Sequence, residues 1–351
     1  MAKTKEEHID KNGVRVVAKA KEEDTDKKSI RDAVLARLNK EHGLGTIGVY
    51  TDMPKLDVEV ISTGSMNLDI ATGIGGLPRG RIVEIYGPEA SGKTTLALSA
   101  VAQTQKLGGL AAYVDIEHAL DPTYMEAIGV NLDKLVLSQP SHGEMAIDII
   151  NELVSSAAFD IVVLDSVAAL IPKAELEGEV TDYHVGTQAR LMSKACRMLG
   201  GIVSKTKTCL IFINQIRQKI GVMFGNPETT TGGLALKFWS SLRIESRRKG
   251  SVKDGDDAIG NDTICKIVKN KLAPPFRSAT FEITFGKGIN KNKEIVDLAT
   301  DMNLVDKSGS WYKIDGNNVA QGVDQLCDYL TQNPTIAANF EKQIREKYNL
   351  K

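Results

Sequence analysis

RIVEIYGPEASGKTTLALSA, residues 81–100, decides the reading of this chain. It opens on a run rich in β-branched residues, RIVEIYG (81–87), and closes in a helical stretch, Lys93 to Lys106. Between them lies G-x-x-x-x-G-K-[ST], filled by Gly87, Pro88, Glu89, Ala90, Ser91, Gly92, Lys93 and Thr94. Strand, glycine-rich turn and helix are the setting in which this pattern cradles phosphate. The two glycines let the backbone fold tightly and turn N–H groups toward phosphate oxygens. The helix N-terminus adds a favourable dipole. Lys93 has the reach for β- and γ-phosphates, and the Thr94 hydroxyl suits Mg²⁺.

The same grammar repeats outward. AAYVDIE (111–117), KLVLSQ (134–139), DIVVLDS (160–166) and TCLIFINQ (208–215) are apolar runs separated by helical stretches such as Glu144 to Ser156. Near-continuous apolar strands alternating with helices predict a doubly wound α/β fold with a mostly parallel sheet and its site at the C-terminal strand ends. Three polar residues stand at those ends. Asp165 closes IVVLD and suits a metal or its bound water. Glu117 ends AAYVDIE, read as the strand beside the phosphate loop, and suits a base that polarises water. Gln215 ends TCLIFINQ, where an amide can sense a γ-phosphate. This set fits nucleotide hydrolysis better than transfer to a small acceptor, since no arginine-rich lid is evident.

Composition bounds the partners. Lys plus Arg is 44 and Asp plus Glu 45, a net charge of −1, so any nucleic-acid surface must be local. Hydrophobic residues at 42% and charged residues at 25% exclude global disorder. No apolar run approaches the roughly 18 residues of a membrane span, and MAKTKEEHID has no apolar stretch of a signal peptide. The four cysteines form no CxxC pair, which predicts reduced core thiols and a cytoplasmic protein.

Three segments divide the chain: 1–54, 55–289 and 290–351. Residues 1–28 mix both charge signs and read as a frayed arm; Ser29 to Asn39 reads as a helix with Ile30, Val34 and Leu38 on one face. Beyond Phe238, KFWSSLRIESRR, TICKIVKN and ATFEITFG read as an antiparallel extension of the sheet. KSGSWYKIDGNNVA reads as a hairpin turning at Asp315-Gly316, and two helices follow, the second with Ile336, Phe340 and Ile344 inward.

Ile216 to Gly233, IRQKIGVMFGNPETTTGG, reads as a long loop. It combines Arg217 and Lys219 with Ile220, Val222, Met223 and Phe224. Cations for phosphate and apolar wedges for bases suit single-stranded DNA of any sequence. Two basic patches, Arg243 to Lys253 and Lys266 to Arg277, read as DNA or polymer contacts or as ordinary solvated strand faces.

Taken together, ISTGSMNLDIATGIGGLPRGRIVEIYGPEASGKTTL, YVDIEHALDP, VVLDSVAALIPKAELEGE, FINQIRQKIGVMFGNPETTTGGLALKF, VKNKLAPPF and SGSWY resemble the bacterial RecA recombinases over about residues 30–345. The resemblance implies a P-loop RecA-type ATPase core with an N-terminal helix and a small C-terminal α/β domain. It implies that Gly87 to Thr95 hold ATP and Mg²⁺, with Thr94 and Asp165 at the metal, and that Asp121 and Tyr124 contact adenine. Glu117 falls on the catalytic glutamate and Gln215 on the glutamine that couples γ-phosphate to DNA. Lys269 and Lys271 fall on lysines that reach a neighbouring subunit's γ-phosphate. Arg190, Arg197, Arg217, Lys219, Met223, Phe224, Gly232 and Gly233 fall on DNA-contacting positions, with a first DNA loop at Glu177 to Gly186. The implied activity is a DNA-dependent ATPase that forms a helical filament, a homo-oligomer, on single-stranded DNA. The filament pairs with homologous double-stranded DNA, exchanges strands and promotes self-cleavage of a LexA-type SOS repressor. Other readings are a hexameric helicase and a coat protein that binds ATP without hydrolysing it. Many relatives end in an acidic run, whereas EKQIREKYNLK (341–351) contains none; Lys287, Lys291 and Lys293 make the start of the last domain basic.

Overall fold

The computed structural model describes residues 16–43, 46–49, 51, 58–179, 186–218, 221, 225 and 227–350. The chain divides into two units, residues 1–57 and 58–351.

Among the described residues the first unit holds one helix, α1 (Val16–His42), 27 residues long. It begins well before Ser29, which corrects the frayed-arm reading for residues 16–28. VVAKAKEEDTDKK contains no proline or glycine and several strong helix formers. Its polarity says that it lacks a core, not that it cannot coil. Of the expected apolar stripe, Ile30 and Val34 are exposed and Leu38 is half-buried among the described residues.

In the second unit β1 (Val60–Ile61), α2 (Met66–Thr72) and β2 (Leu77–Pro78) lead into the sheet. Then come β3 (Ile82–Gly87), α3 (Lys93–Lys106), β4 (Ala111–Asp115), α4 (Pro122–Ile128), β5 (Leu135–Ser138), α5 (Gly143–Ser155) and β6 (Ile161–Asp165). Next follow α6 (Lys173–Leu176), α7 (Thr187–Thr206), β7 (Cys209–Gln218), β8 (Glu228–Thr230), α8 (Ala235–Trp239), β9 (Leu242–Asp254), β10 (Asp257–Asn270), β11 (Ser278–Thr284) and β12 (Gly288–Ile289). The strand order is β12-β11-β10-β9-β3-β7-β6-β4-β5, with β8 paired to β7. From β9 to β5 neighbours run parallel; β10, β11 and β12 extend the sheet antiparallel. One apolar layer, with Leu96 and Val101 of α3 and Tyr113 of β4, covers one face. The other, with Ile150 of α5, Leu199 of α7 and Phe212 of β7, covers the opposite face. That two-sided burial is why the strands are nearly uninterrupted in apolar residues.

Several boundaries move. Glu117 lies two residues beyond β4, and β4 is separated from β3 by β7 and β6, so it is not the strand next to the phosphate loop. Gln215 is not a strand end: β7 continues to Gln218, and Ile216, Arg217 and Gln218 pair with Thr230, Thr229 and Glu228. The supposed loop therefore begins as a β-hairpin. KFW belongs to α8, and β9 starts at Leu242 parallel to β3, so the antiparallel part begins one strand later. The aromatic run imitates a strand, but it makes the last turn of a short crossover helix.

The C-terminal part contains α9 (Lys291–Asp301), β13 (Asp306–Ser308), β14 (Trp311–Ile314), β15 (Asn317–Gln321), α10 (Val323–Gln332) and α11 (Pro334–Tyr348). Asp315 and Gly316 both have positive φ, 51° and 79°, as a two-residue hairpin turn requires. Phe340 and Ile344 are buried with Leu326 and Leu330. Glu294 of α9 is buried as well and fastens this part to α2: its carboxylate accepts from the Ser65 hydroxyl and from the Met66 and Asn67 N–H groups. Cys196, Cys209 and Cys265 are buried, and burial pushes each thiol up to about 12.

Candidate nucleotide site and nucleic-acid interface

The phosphate loop is held by close backbone approach. A Cβ on Gly87 would sit 2.0 Å from the Ser246 carbonyl oxygen, so only glycine fits there. Gly92, at φ 83°, is the N-cap of α3 and adopts the left-handed conformation glycine tolerates best. The Ser91 hydroxyl donates to the Pro88 carbonyl at 2.8 Å, and the Ser246 hydroxyl donates to the Ser91 carbonyl. Below the loop, fully buried Glu84 accepts from Arg243 and, at 3.0 Å, from Asn214. Arg243 also stacks 4.6 Å from the Tyr86 ring centroid. A buried carboxylate is tolerable only with such partners.

Lys93 is 9% exposed and its Nζ donates to the Pro88 carbonyl at 2.6 Å. Burial lowers its pKa, while Asp165, Glu117 and Glu89 oppose that drop. Thr94 donates to Asp165 Oδ2 at 2.9 Å, and the Tyr113 hydroxyl donates to the same oxygen at 2.8 Å. Burial nevertheless raises Asp165 to about 6, because desolvation of the carboxylate exceeds what the two donors return. A hydroxyl beside a carboxylate is a hard-oxygen pair, the donor chemistry of Mg²⁺, which usually takes only one or two protein ligands besides phosphates and water. Among the described residues no cluster of three or more His, Cys, Asp or Glu offers an all-protein cage.

A cavity of about 270 Å³ adjoins the loop, lined by Ala90 to Thr95, Tyr124, Asn261, Thr263, Ile283 and Phe285. Thr95 and Tyr124 share a hydrogen bond of 2.7 Å. Asn261 Oδ1 is buried and without a hydrogen-bond partner among the described residues. Two aromatic rings and an orphaned polar atom are what a nucleobase would use. The sequence reading missed Asn261, Thr263, Ile283 and Phe285. They come from β10, β11 and the turn after it, and only the sheet order brings them to α3. Asp121 is not among the lining residues; its carboxylate caps α4 by accepting from Thr123 N–H at 2.9 Å. A roomier cleft of about 990 Å³ lies between β12, α9 and α10, but no phosphate-loop residue lines it. Chemistry, not size, identifies the nucleotide site.

Glu117, Ser166 and Gln215 meet. Ser166 Oγ donates to Glu117 Oε1, and Gln215 Nε2 donates to the same oxygen at 3.0 Å. Gln215 is also directly opposite Gly87 in the β3–β7 register. One strand thus joins the phosphate loop, the carboxylate and the base of the β7–β8 hairpin.

Arg190 and Arg197 are exposed and two turns apart on α7, and Arg217 is exposed on β7. Gly232 N–H donates to Gln188 Oε1 at 3.3 Å, which fastens the far end of the hairpin segment to α7 beside Gly233. Lys219, Met223 and Phe224 lie outside the described residues, as does most of the first loop. Lys269 and Lys271 do not point to the chain's own phosphate loop. Lys269 Nζ donates to the Lys237 and Phe238 carbonyls at 2.6 and 2.9 Å, and Lys271 Nζ to Phe238 at 3.2 Å. Burial, then Lys271 and Arg243, lower Lys269 to about 8. The basic patches are partly spent: Arg247 pairs with Glu228 and Glu245, and Lys293 with Glu282.

A phosphate loop between β3 and α3, with Asp165 at the end of β6 and Glu117 just beyond β4, defines a P-loop ATPase. Residues 28–290 match the RecA N-terminal domain and residues 293–349 the RecA C-terminal domain. Protein RecA of Methylococcus capsulatus is 58% identical over 316 residues, covering 90% of this chain and 91% of that protein. Protein RecA of Allochromatium vinosum is 56% identical over 316 residues, with the same shares. The chain belongs to the RecA family, the DNA-dependent ATPases of recombination and repair. No helix among the described residues is long and apolar enough to cross a membrane.

Proposed function

We propose that this chain is the filament-forming recombinase of its cell. It polymerises on single-stranded DNA with ATP and Mg²⁺, pairs that strand with homologous double-stranded DNA, and promotes self-cleavage of a LexA-type repressor. Residues 1–54 serve polymerisation, 55–289 bind ATP and DNA, and 290–351 form the C-terminal domain.

Gly87 to Thr95 hold the phosphates, with Lys93 on the β- and γ-phosphates. Thr94 and Asp165 hold Mg²⁺, which when bound supplies charge neutralisation at the phosphates. Tyr124 stacks on the adenine, and Asp121, whose Oδ1 caps α4, contacts it as well. Glu117 polarises the attacking water. Gln215 reports the γ-phosphate to the hairpin. Arg190, Arg197, Arg217, Lys219, Met223, Phe224 and the Gly232-Gly233 backbone hold DNA. Lys269 and Lys271 act on the neighbouring subunit's nucleotide, so the site is complete only in the polymer.

The observation that carries this reading is the Gln215–Glu117 hydrogen bond. It ties the candidate base to the strand that becomes the DNA hairpin, so a hairpin moved by DNA would free the carboxylate. The test is ATP hydrolysis with and without homopolymeric single-stranded DNA, for wild type and Gln215→Ala. Stimulation in wild type and its loss in the variant are expected. Stimulation of equal size in both would sink the coupling role of Gln215.

A further inference from the structure

Tyr113 is fully buried in the centre of β4, where a ring of that size needs no hydroxyl to pack. An unbonded hydroxyl would be costly there, so the oxygen's position is informative. Tyr113 pairs with Val163 of β6, and Asp165 lies two residues further along on the same face. The ring therefore leans toward the carboxyl end of the sheet, and its hydroxyl meets Asp165 Oδ2 at 2.8 Å. Thr94 reaches the same oxygen from the phosphate loop at 2.9 Å. Among the described residues no hydrogen bond is made to Asp165 Oδ1. Two donors from different elements thus pin one oxygen and leave the other open.

We infer that Tyr113 is a positioning residue for the metal: its hydroxyl fixes the rotation of the Asp165 carboxylate so that Oδ1 is the oxygen offered to hydrated Mg²⁺. The inference rests on the reading of Thr94 and Asp165 as the metal pair. With Thr94 alone, a hydroxyl that must also serve the metal is the only restraint on the carboxylate. The phenol supplies a second restraint from behind, rooted in the core and independent of nucleotide. Partners that orient a metal-binding group in this way are usually worth about ten- to a hundredfold in metal affinity or activity.

The experiment uses the full chain and a fluorescent ADP derivative, whose binding is followed as Mg²⁺ is titrated. Wild type, Tyr113→Phe and Asp165→Asn are compared, with melting temperatures measured in parallel. Tyr113→Phe keeps the ring and removes only the oxygen. Its Mg²⁺ half-saturation should rise about tenfold, while ADP binding without Mg²⁺ stays as in wild type. An unchanged half-saturation overturns the inference, whether or not the variant melts lower, since a hydroxyl that merely completes the core would alter melting alone. A shift in Asp165→Asn without one in Tyr113→Phe rejects Tyr113 and leaves the metal pair standing. No Mg²⁺ dependence in wild type, or no shift in Asp165→Asn, rejects both.

Discussion

Lys93 and Lys269 make the same bond in opposite surroundings. Each ammonium donates to a backbone carbonyl at 2.6 Å, and burial lowers the pKa of each. Lys93 faces Asp165, Glu117 and Glu89, which favour its charge. Lys269 sits with Lys271 and Arg243, with Glu84 as the opposing acid. The first lysine finds its opposing acids within its own chain. The second is a cation among cations and lacks an anion of matching strength. A phosphate from outside would relieve that imbalance, which is the physical case for action across a subunit boundary.

The largest effect should come from Lys93→Ala, expected to lower DNA-stimulated hydrolysis by at least about a hundredfold without lowering the melting temperature. A variant that hydrolyses ATP normally would break the comparison at its first term. Glu117→Gln should cost about 10²- to 10⁴-fold in turnover with nucleotide binding retained, read by fluorescent-ADP titration. Mixtures test the second term. Lys269→Ala/Lys271→Ala protein mixed into wild type should depress turnover per wild-type subunit; turnover that merely dilutes in proportion would place both lysines outside the neighbour's site.

A pH profile sharpens the contrast. Lys269 loses its proton near pH 8 in the unassembled chain, and a facing phosphate would raise that value. Assembly at pH above 8 should therefore take up protons and weaken as pH rises. Lys269→Arg stays charged, so the basic limb of its DNA-dependent ATPase should move upward even if its maximum falls. Coincident limbs would show that Lys269 does not titrate there.

The smallest effect concerns Glu294, a buried carboxylate bonded to neither lysine. Burial outweighs its three donors and raises it from 4.5 to about 7. A folded-state pKa above the unfolded one means the native chain holds the proton more tightly. Stability then falls as pH rises from 4.5 to about 7. Wild type should lose a few degrees of melting temperature across that window on this account, and Glu294→Gln should show a flatter curve.

Legibility followed locality. The phosphate loop lies within a short run of sequence, and its strand, turn and helix were all readable from residue type. Glu117, Asp165 and Gln215 were found because apolar runs end near them, although the strand order that separates Glu117 from the loop was not readable. Tyr113 escaped because its role depends on its register with β6. Asn261 and Phe285 could not be found from their neighbours, since three strand pairings bring them to α3. Helix α1 was misread because composition was taken for conformation, and α8 because aromatic residues imitate a strand.

The buried cysteines have a consequence for the conditions under which such a protein works. Oxidants that break DNA also attack thiolates, and the thiolate is the reactive form. With Cys196, Cys209 and Cys265 inside the core and their thiols raised to about 12, almost none of that form exists at neutral pH. The chain should keep its ATPase through a peroxide exposure that sulfenylates exposed low-pKa thiols, and mass spectrometry of these three residues after treatment would reveal any failure. For these three thiols, the demand for repair and the survival of the repair machinery are kept apart; the half-buried Cys327 is the one to compare them with.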